Sequence, residues 1–255
     1  MRNMPITLAL PGRRKTMLAA VLASGLIQLI AGAPAAAASA VAAATPAMAT
    51  SATSTPKSAV NTVLVMGDSL SAEYGITRGT GWVPLMEQRL KKENIAAAVV
   101  NASISGETTS GGLARLQPLL DKVRPQTVVI ELGANDGLRG LPIAATQNNL
   151  RALIDASHKA NAKVLLVGMQ LPPNYGGDYT RQFTGMYPKL ATSAGVALVP
   201  FMFTGVDKPS FFQADRLHPT AEAQPTILEN IWPHLKPLLT SAAMQAQKAP
   251  AALAR

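Results

Sequence analysis

The sequence predicts an α/β protein: a five-stranded parallel sheet with helices on both faces. Three observations lead there. Five short runs are apolar throughout rather than alternating, as strands buried on both faces must be. Segments with helical spacing separate these runs. Small polar residues collect just after the runs, where open parallel sheets bind their ligands.

The elements follow in order. Thr62–Met66 (TVLVM) is the first strand. Trp82–Lys92 has Val83, Met86 and Leu90 at helical spacing. Ala97–Val100 is the second strand, Gly112–Val123 a helix, and Thr127–Leu132 (TVVIEL) the third strand. Pro142, a residue suited to a first helical turn, opens a helix to about Ala160. Lys163–Gly168 (KVLLVG) is the fourth strand, Tyr179–Ala194 a helix, and Val196–Val199 a short fifth strand. A helix over Thr220–Leu239 closes the domain. The folded unit is residues 60–240, about 180 residues and enough for one sizeable core.

The ends of the chain read differently. Arg13, Arg14 and Lys15 precede an uncharged apolar run, Met17–Ala31, followed by A-x-A sites between Ala35 and Ala49. Basic, then apolar, then small is the order of a secretory signal peptide. Residues 1–35 are assigned to it, with cleavage between 35 and 50. Residues 36–59 are an Ala/Ser/Thr/Pro-rich linker and 241–255 a flexible tail, since neither can bury enough apolar surface to offset ordering entropy. The chain has no cysteine, which excludes a lipoprotein anchor, a disulfide framework and a thiol nucleophile. The net charge of +9 does not mark a nucleic-acid binder. Residues 1–59 hold five of the Lys/Arg and no acid, and the rest is scattered among few aromatics.

Four loops behind strands, or before the last helix, hold the chemistry. They are Gly67-Asp68-Ser69-Leu70-Ser71, Asn101-Ala102-Ser103-Ile104-Ser105-Gly106, Gly133-Ala134-Asn135-Asp136-Gly137 and Asp215-Arg216-Leu217-His218-Pro219. A serine hydroxyl needs a base to become a nucleophile, and the base needs a carboxylate to fix its tautomer. Of three histidines, His158 and His234 lie in helices and read as solvated or core-edge residues. His218 stands in a loop three residues after Asp215, a spacing that lets the carboxylate fold back on the ring. Ser69, Asp215 and His218 are the catalytic candidates. The Ser69 amide, the Gly106 amide and the Asn135 side chain are candidate donors to an oxyanion. Asp68 and Asp136 read as loop-holding acids. The histidines lack metal-ligand spacing, so neither metal nor cofactor is expected.

GDSLS, the glycine of SISGET, GAND and DRLHP resemble, in order, the blocks of the SGNH or GDSL hydrolases. NASISGETTSGGLARL, VIELGANDGLRG, LPPNYG and YPKLA are similar to the subgroup of multifunctional thioesterase I, lysophospholipase and arylesterase enzymes. The resemblance covers residues 60–240. It implies a flavodoxin-like three-layer α/β/α fold and hydrolysis of acyl esters and thioesters through an acyl-serine without metal. It also implies an acyl groove, lined by the loop Gly137, Leu138, Arg139, Gly140, Leu141, Pro142 on one wall and Leu171 and Pro172 on the other. One position departs from the subgroup: Glu73 stands where a glycine is usual, and a carboxylate near the groove mouth is expected to disfavour anionic substrates such as acyl-CoA.

The expected function is a secreted, periplasmic or extracellular serine esterase acting on aryl and short to medium acyl esters, with thioesters and lysophospholipids as further substrates. The expected partner is a small acyl ester or lipid, with no nucleic acid, no stable membrane anchor after cleavage and a monomeric state. Two alternatives remain open at this point: a carbohydrate O-acetyl esterase with the same residues, and an inactive exported binding module on the same fold.

Overall fold

A computed structural model describes residues 61–248. The expected signal peptide, its cleavage site and the 36–59 linker lie outside the described residues. Five strands form one sheet: β1 (Asn61–Gly67), β2 (Ala97–Asn101), β3 (Thr127–Glu131), β4 (Lys163–Val167) and β5 (Ala197–Val199). Every pairing is parallel, and the order is β2-β1-β3-β4-β5. This is the flavodoxin-like order.

The strands are apolar on both faces because both are covered. Val63–Met66, Val128–Ile130 and Leu165–Leu166 are fully buried. The helices are α1 (Trp82–Lys92), α2 (Thr109–Val123), α3 (Ala134–Leu138), α4 (Ile143–Lys159), α5 (Gly177–Ala194) and α6 (Gln224–Lys248). α1 packs on α6, while α2, α4 and α5 pack in sequence. Right-handed crossovers explain the division. The chain moves one way from β1 to β2 and the other way from β2 to β3, so α1 and α2 fall on opposite faces. The reversal leaves a crevice beyond the carboxyl ends of β1 and β3, the switch point at which such sheets bind ligands.

Boundaries differ from the sequence reading where a local cap decides them. α2 starts three residues early, at Thr109, because the Thr108 hydroxyl accepts the Gly111 amide. The block after β3 is a short helix rather than a loop. α6 continues to Lys248, into the segment read as a tail. No helix of the described residues is long and apolar enough to cross a membrane.

Candidate active site

Ser69 follows β1 in a tight turn beneath which the backbone has little room. A side chain at Gly67 would meet the Ser71 hydroxyl at 2.6 Å and the Glu131 carboxyl at 2.7 Å. Glu131, at the end of β3, is 2% exposed. It accepts the Ser71 hydroxyl at 2.7 Å and the Asp68 amide at 3.3 Å, and the Trp82 indole N–H closes on Ser71 Oγ at 3.2 Å. Burial, and then the neighbouring Asp68 charge, push the Glu131 carboxyl well above the usual range. This buried layer anchors the serine turn to the sheet.

The turn before α6 brings the histidine. His218 Nε2 lies 2.8 Å from Ser69 Oγ, and His218 Nδ1 lies 2.7 Å from Asp215 Oδ2. An ionised carboxylate only accepts, so Nδ1 carries the proton and Nε2 accepts from the serine hydroxyl. Asp215 Oδ1 accepts the amides of His218 at 3.0 Å and Leu217 at 2.9 Å. Those amides, with the His218 side chain, hold Asp215 down to about 2. Gln213 ties this turn to the serine loop: its amide nitrogen donates to the carbonyls of Tyr74 and Pro219. The Tyr74 ring packs on the imidazole, 4.4 Å between centroids.

Ser69 and Asn135, two of the three expected donors, line the same cavity. Hydrogen bonds from Ala102 and Ile104 to the carbonyls of Val65 and Gly67 run the loop after β2 alongside the end of β1. Gly106 on that loop has φ +78°, a conformation that favours glycine. Among the described residues, neither the Ser69 nor the Gly106 N–H donates to another carbonyl. Asn135 stands in the first turn of α3 and donates from Nδ2 to Asp68 Oδ2 at 2.9 Å. Asp68 is 1% exposed and also accepts the Leu70 amide at 3.0 Å. Asp136 is buried and holds the Thr109 amide and hydroxyl, which joins α3 to α2. Both acids hold loops, as read from the sequence.

A cavity of about 280 Å³ opens beside Ser69 and His218. Leu138, Leu171 and Pro172 line it as expected, together with Met169, Phe201, Phe203, Phe212 and Leu217. The other five residues of the expected groove loop, Gly137, Arg139, Gly140, Leu141 and Pro142, do not line it. Gly137 is packed against Leu171 and Phe183. Arg139 reaches across to donate to the Gly106 carbonyl at 2.9 Å. Leu141 offers its carbonyl to the Tyr179 hydroxyl at 2.7 Å. Glu73 also departs from expectation. Its carboxylate does not line the cavity but accepts the amides of Gly79 and Gly81, both at 2.8 Å, from a left-handed backbone at φ 59°.

The phenylalanines were missed in the sequence. Their signal was concentration: four of five lie between positions 201 and 212. Phe201–Phe203 and Phe203–Phe212 pack edge to face at 5.9 Å. Among the described residues, no three His, Cys, Asp or Glu side chains converge as metal ligands would.

Known proteins are similar to this chain in sequence and in fold. Residues 65–224 match the GDSL-like lipase/acylhydrolase family. Esterase TesA of Pseudomonas aeruginosa is 50% identical over 186 residues, 72% of this chain and 92% of that protein. The thioesterase 1/protease 1/lysophospholipase L1 of Escherichia coli K12 is 42% identical over 183 residues, 71% of this chain and 86% of that protein. The crystal structure of the psychrotrophic esterase EstA from a Pseudoalteromonas species, inhibited by monoethylphosphonate, superposes with a TM-score of 0.68 at 41% identity, covering 71% of this chain and 99% of that one. A match across more than half of the chain, and relatives covered along most of their length, show that the chain belongs to the GDSL-like lipase/acylhydrolase family and is a hydrolase of ester bonds.

Proposed function

We propose that this is an exported serine esterase that cleaves aryl and short to medium acyl esters through an acyl-Ser69 intermediate. The observation that carries the reading is the chain of contacts Ser69 Oγ, His218 Nε2, His218 Nδ1 and Asp215 Oδ2, with steps of 2.8 and 2.7 Å. His218 takes the hydroxyl proton as Ser69 Oγ attacks the carbonyl carbon. The Ser69 and Gly106 amides and Asn135 Nδ2 stabilise the oxyanion, each donor worth about 3–4 kcal/mol. The tetrahedral species collapses as the C–O bond breaks, and the alcohol leaves with the proton from His218. Water then repeats the sequence on the acyl-serine, and the acid departs. Asp215 holds the imidazole in the required tautomer and stabilises its cation.

The cavity supports the substrate class. Ten of its sixteen lining residues are apolar, and apart from Asp68, Ser69, Asn135 and His218 only Gln170 and Arg216 are polar, which suits an acyl chain better than the hydroxyl-rich ring of an acetylated sugar. Its volume is near the lower end for small-molecule sites, which favours short to medium chains. Thioesters and lysophospholipids are further substrates of the same chemistry. Glu73 accepts backbone amides and does not line the cavity, so it makes no contact there with anionic ones. Export is supported by the basic, apolar and small-residue order of residues 1–35.

The test is Ser69→Ala assayed on p-nitrophenyl esters of increasing chain length. Turnover should fall by several powers of ten on all of them, and wild-type kcat/KM should peak at short to medium chains. Activity within tenfold of wild type would remove Ser69 from its role.

A further inference from the structure

We propose that Asp68 is the positioning residue of the oxyanion site, fixing which face of the Asn135 amide is turned to the substrate. The inference rests on the reading of Asn135 as an oxyanion donor. A carboxylate beside a developing negative charge is electrostatically unfavourable, so its presence requires an explanation that plain loop support does not supply.

The geometry supplies one. A side-chain amide can be rotated by 180° with little change in shape, exchanging its oxygen and its NH₂. In one orientation Asn135 presents N–H to the oxyanion; in the other it presents a carbonyl oxygen, which would repel it. Ionised Asp68 only accepts. Its Oδ2 receives Asn135 Nδ2 at 2.9 Å, and a rotated amide would set two oxygens against each other. One N–H is thus held by Asp68, and the second is left for the substrate oxygen. The other carboxylate oxygen takes the Leu70 amide at 3.0 Å, which holds the backbone just after Ser69. One buried group therefore bridges two parts of the oxyanion site, the Asn135 side chain and the serine turn.

The discrimination depends on the charge. A protonated Asp68 can donate to Asn135 Oδ1 and so accepts the wrong orientation. Burial raises Asp68 to about 6 against the pull of the Leu70 amide and His218. The groups that face it are Glu131 from β3, Asp136 and Asn135 from α3, His218 from the turn before α6 and Tyr187 from α5. Glu131 is itself raised and donates no positive charge, so His218 is the only cation-forming group among them.

A double-mutant cycle decides the matter, because a structural role would act through the Leu70 amide whether or not Asn135 is present. Wild type, Asp68→Asn, Asn135→Ala and the double variant are compared on p-nitrophenyl butyrate at about pH 8. Asp68→Asn should lower kcat about 10- to 100-fold, within the worth of one such donor, and leave KM within about twofold. In the Asn135→Ala background the same substitution should cost less than about threefold. The same loss in both backgrounds, or a loss confined to KM, overturns the proposal while leaving the Asn135 reading intact. An Asn135→Ala variant with wild-type kcat overturns the parent reading itself. If Asp68→Asn does not fold, NMR on the wild type serves: the Asn135 side-chain ¹⁵N shift should titrate with the Asp68 ¹³Cγ midpoint. An amide resonance that stays flat through that midpoint refutes the coupling.

Discussion

The turn that carries His218 and the turn that carries Ser69 each contain an aspartate, and their surroundings treat the two acids in opposite ways. Asp215 sits in a half-exposed loop, its side chain 39% accessible. Two amides from its own turn and the imidazole keep it ionised, down to about 2. Asp68 sits on the sheet, buried beside Glu131, and burial raises it to about 6. The Asp215 carboxylate is thus served from its own turn: its hydrogen bonds span only two or three residues. The Ser69 turn is held by residues 60 or more positions away, Glu131 and Asn135. One acid is stabilised as an anion by local donors. The other is kept in place although its burial opposes ionisation, a pattern common where a site must be preorganised.

That contrast can be broken at its strongest point first. Asp215→Asn should lower kcat by about 10⁴, because the amide can hold the wrong tautomer of His218. Its effect on stability should be small, since the group is exposed. Steady-state kinetics beside a thermal melt check both halves; a loss below tenfold would mean that the carboxylate does not serve the histidine.

The second effect is smaller and its sign is opposite to intuition. Asp68 is raised from 3.8 to about 6 on folding. Between those values the folded chain keeps a proton that the unfolded chain has released, so stability falls as pH rises through that window. The cost is complete above about pH 6 and amounts to roughly 3 kcal/mol. Asp68→Asn does not carry it. Melting temperatures of the two proteins from about pH 4 to 8 should therefore diverge in favour of the variant by several degrees as pH rises, while its turnover is the poorer. A gap that stays constant across the range would contradict the buried carboxylate.

The smallest effect concerns Glu73. Its left-handed backbone costs about 1–2 kcal/mol for a residue with a Cβ, which the two amide bonds to Gly79 and Gly81 offset. Glu73→Ala keeps the strain and loses the bonds; Glu73→Gly loses both. The alanine variant should melt a few degrees lower than the glycine variant, and both should keep kcat/KM within about threefold. A glycine variant that melts lower than the alanine one would show that the strain is not there.

The legible parts of this molecule were the ones written locally. Apolar runs such as TVLVM and KVLLVG mark strands because both faces of a parallel sheet are covered, and their end loops place Ser69 and Asn135 at one switch point. Asp215 and His218 could be paired because only three residues separate them. What escaped depends on distant neighbours. Glu131 hides inside an apolar strand, and only the fold puts it under Asp68. Gln213 and Tyr74 meet across 139 positions. Arg139 looks like groove lining by its place in the chain, yet the course of α3 carries its guanidinium to Gly106. Glu73 looked like a charge at the mouth because the turn that engages its carboxylate with backbone amides leaves no pattern in the residue order.

Ser69 Oγ is the atom proposed to bond to the acyl group. Incubation with a reactive alkyl fluorophosphonate, followed by proteolysis and mass spectrometry, tests it most directly. One covalent adduct should appear, on the peptide containing Ser69, as esterase activity disappears, and Ser69→Ala should not form it. Inactivation with the adduct on another residue, or full labelling of Ser69 with activity retained, would contradict it.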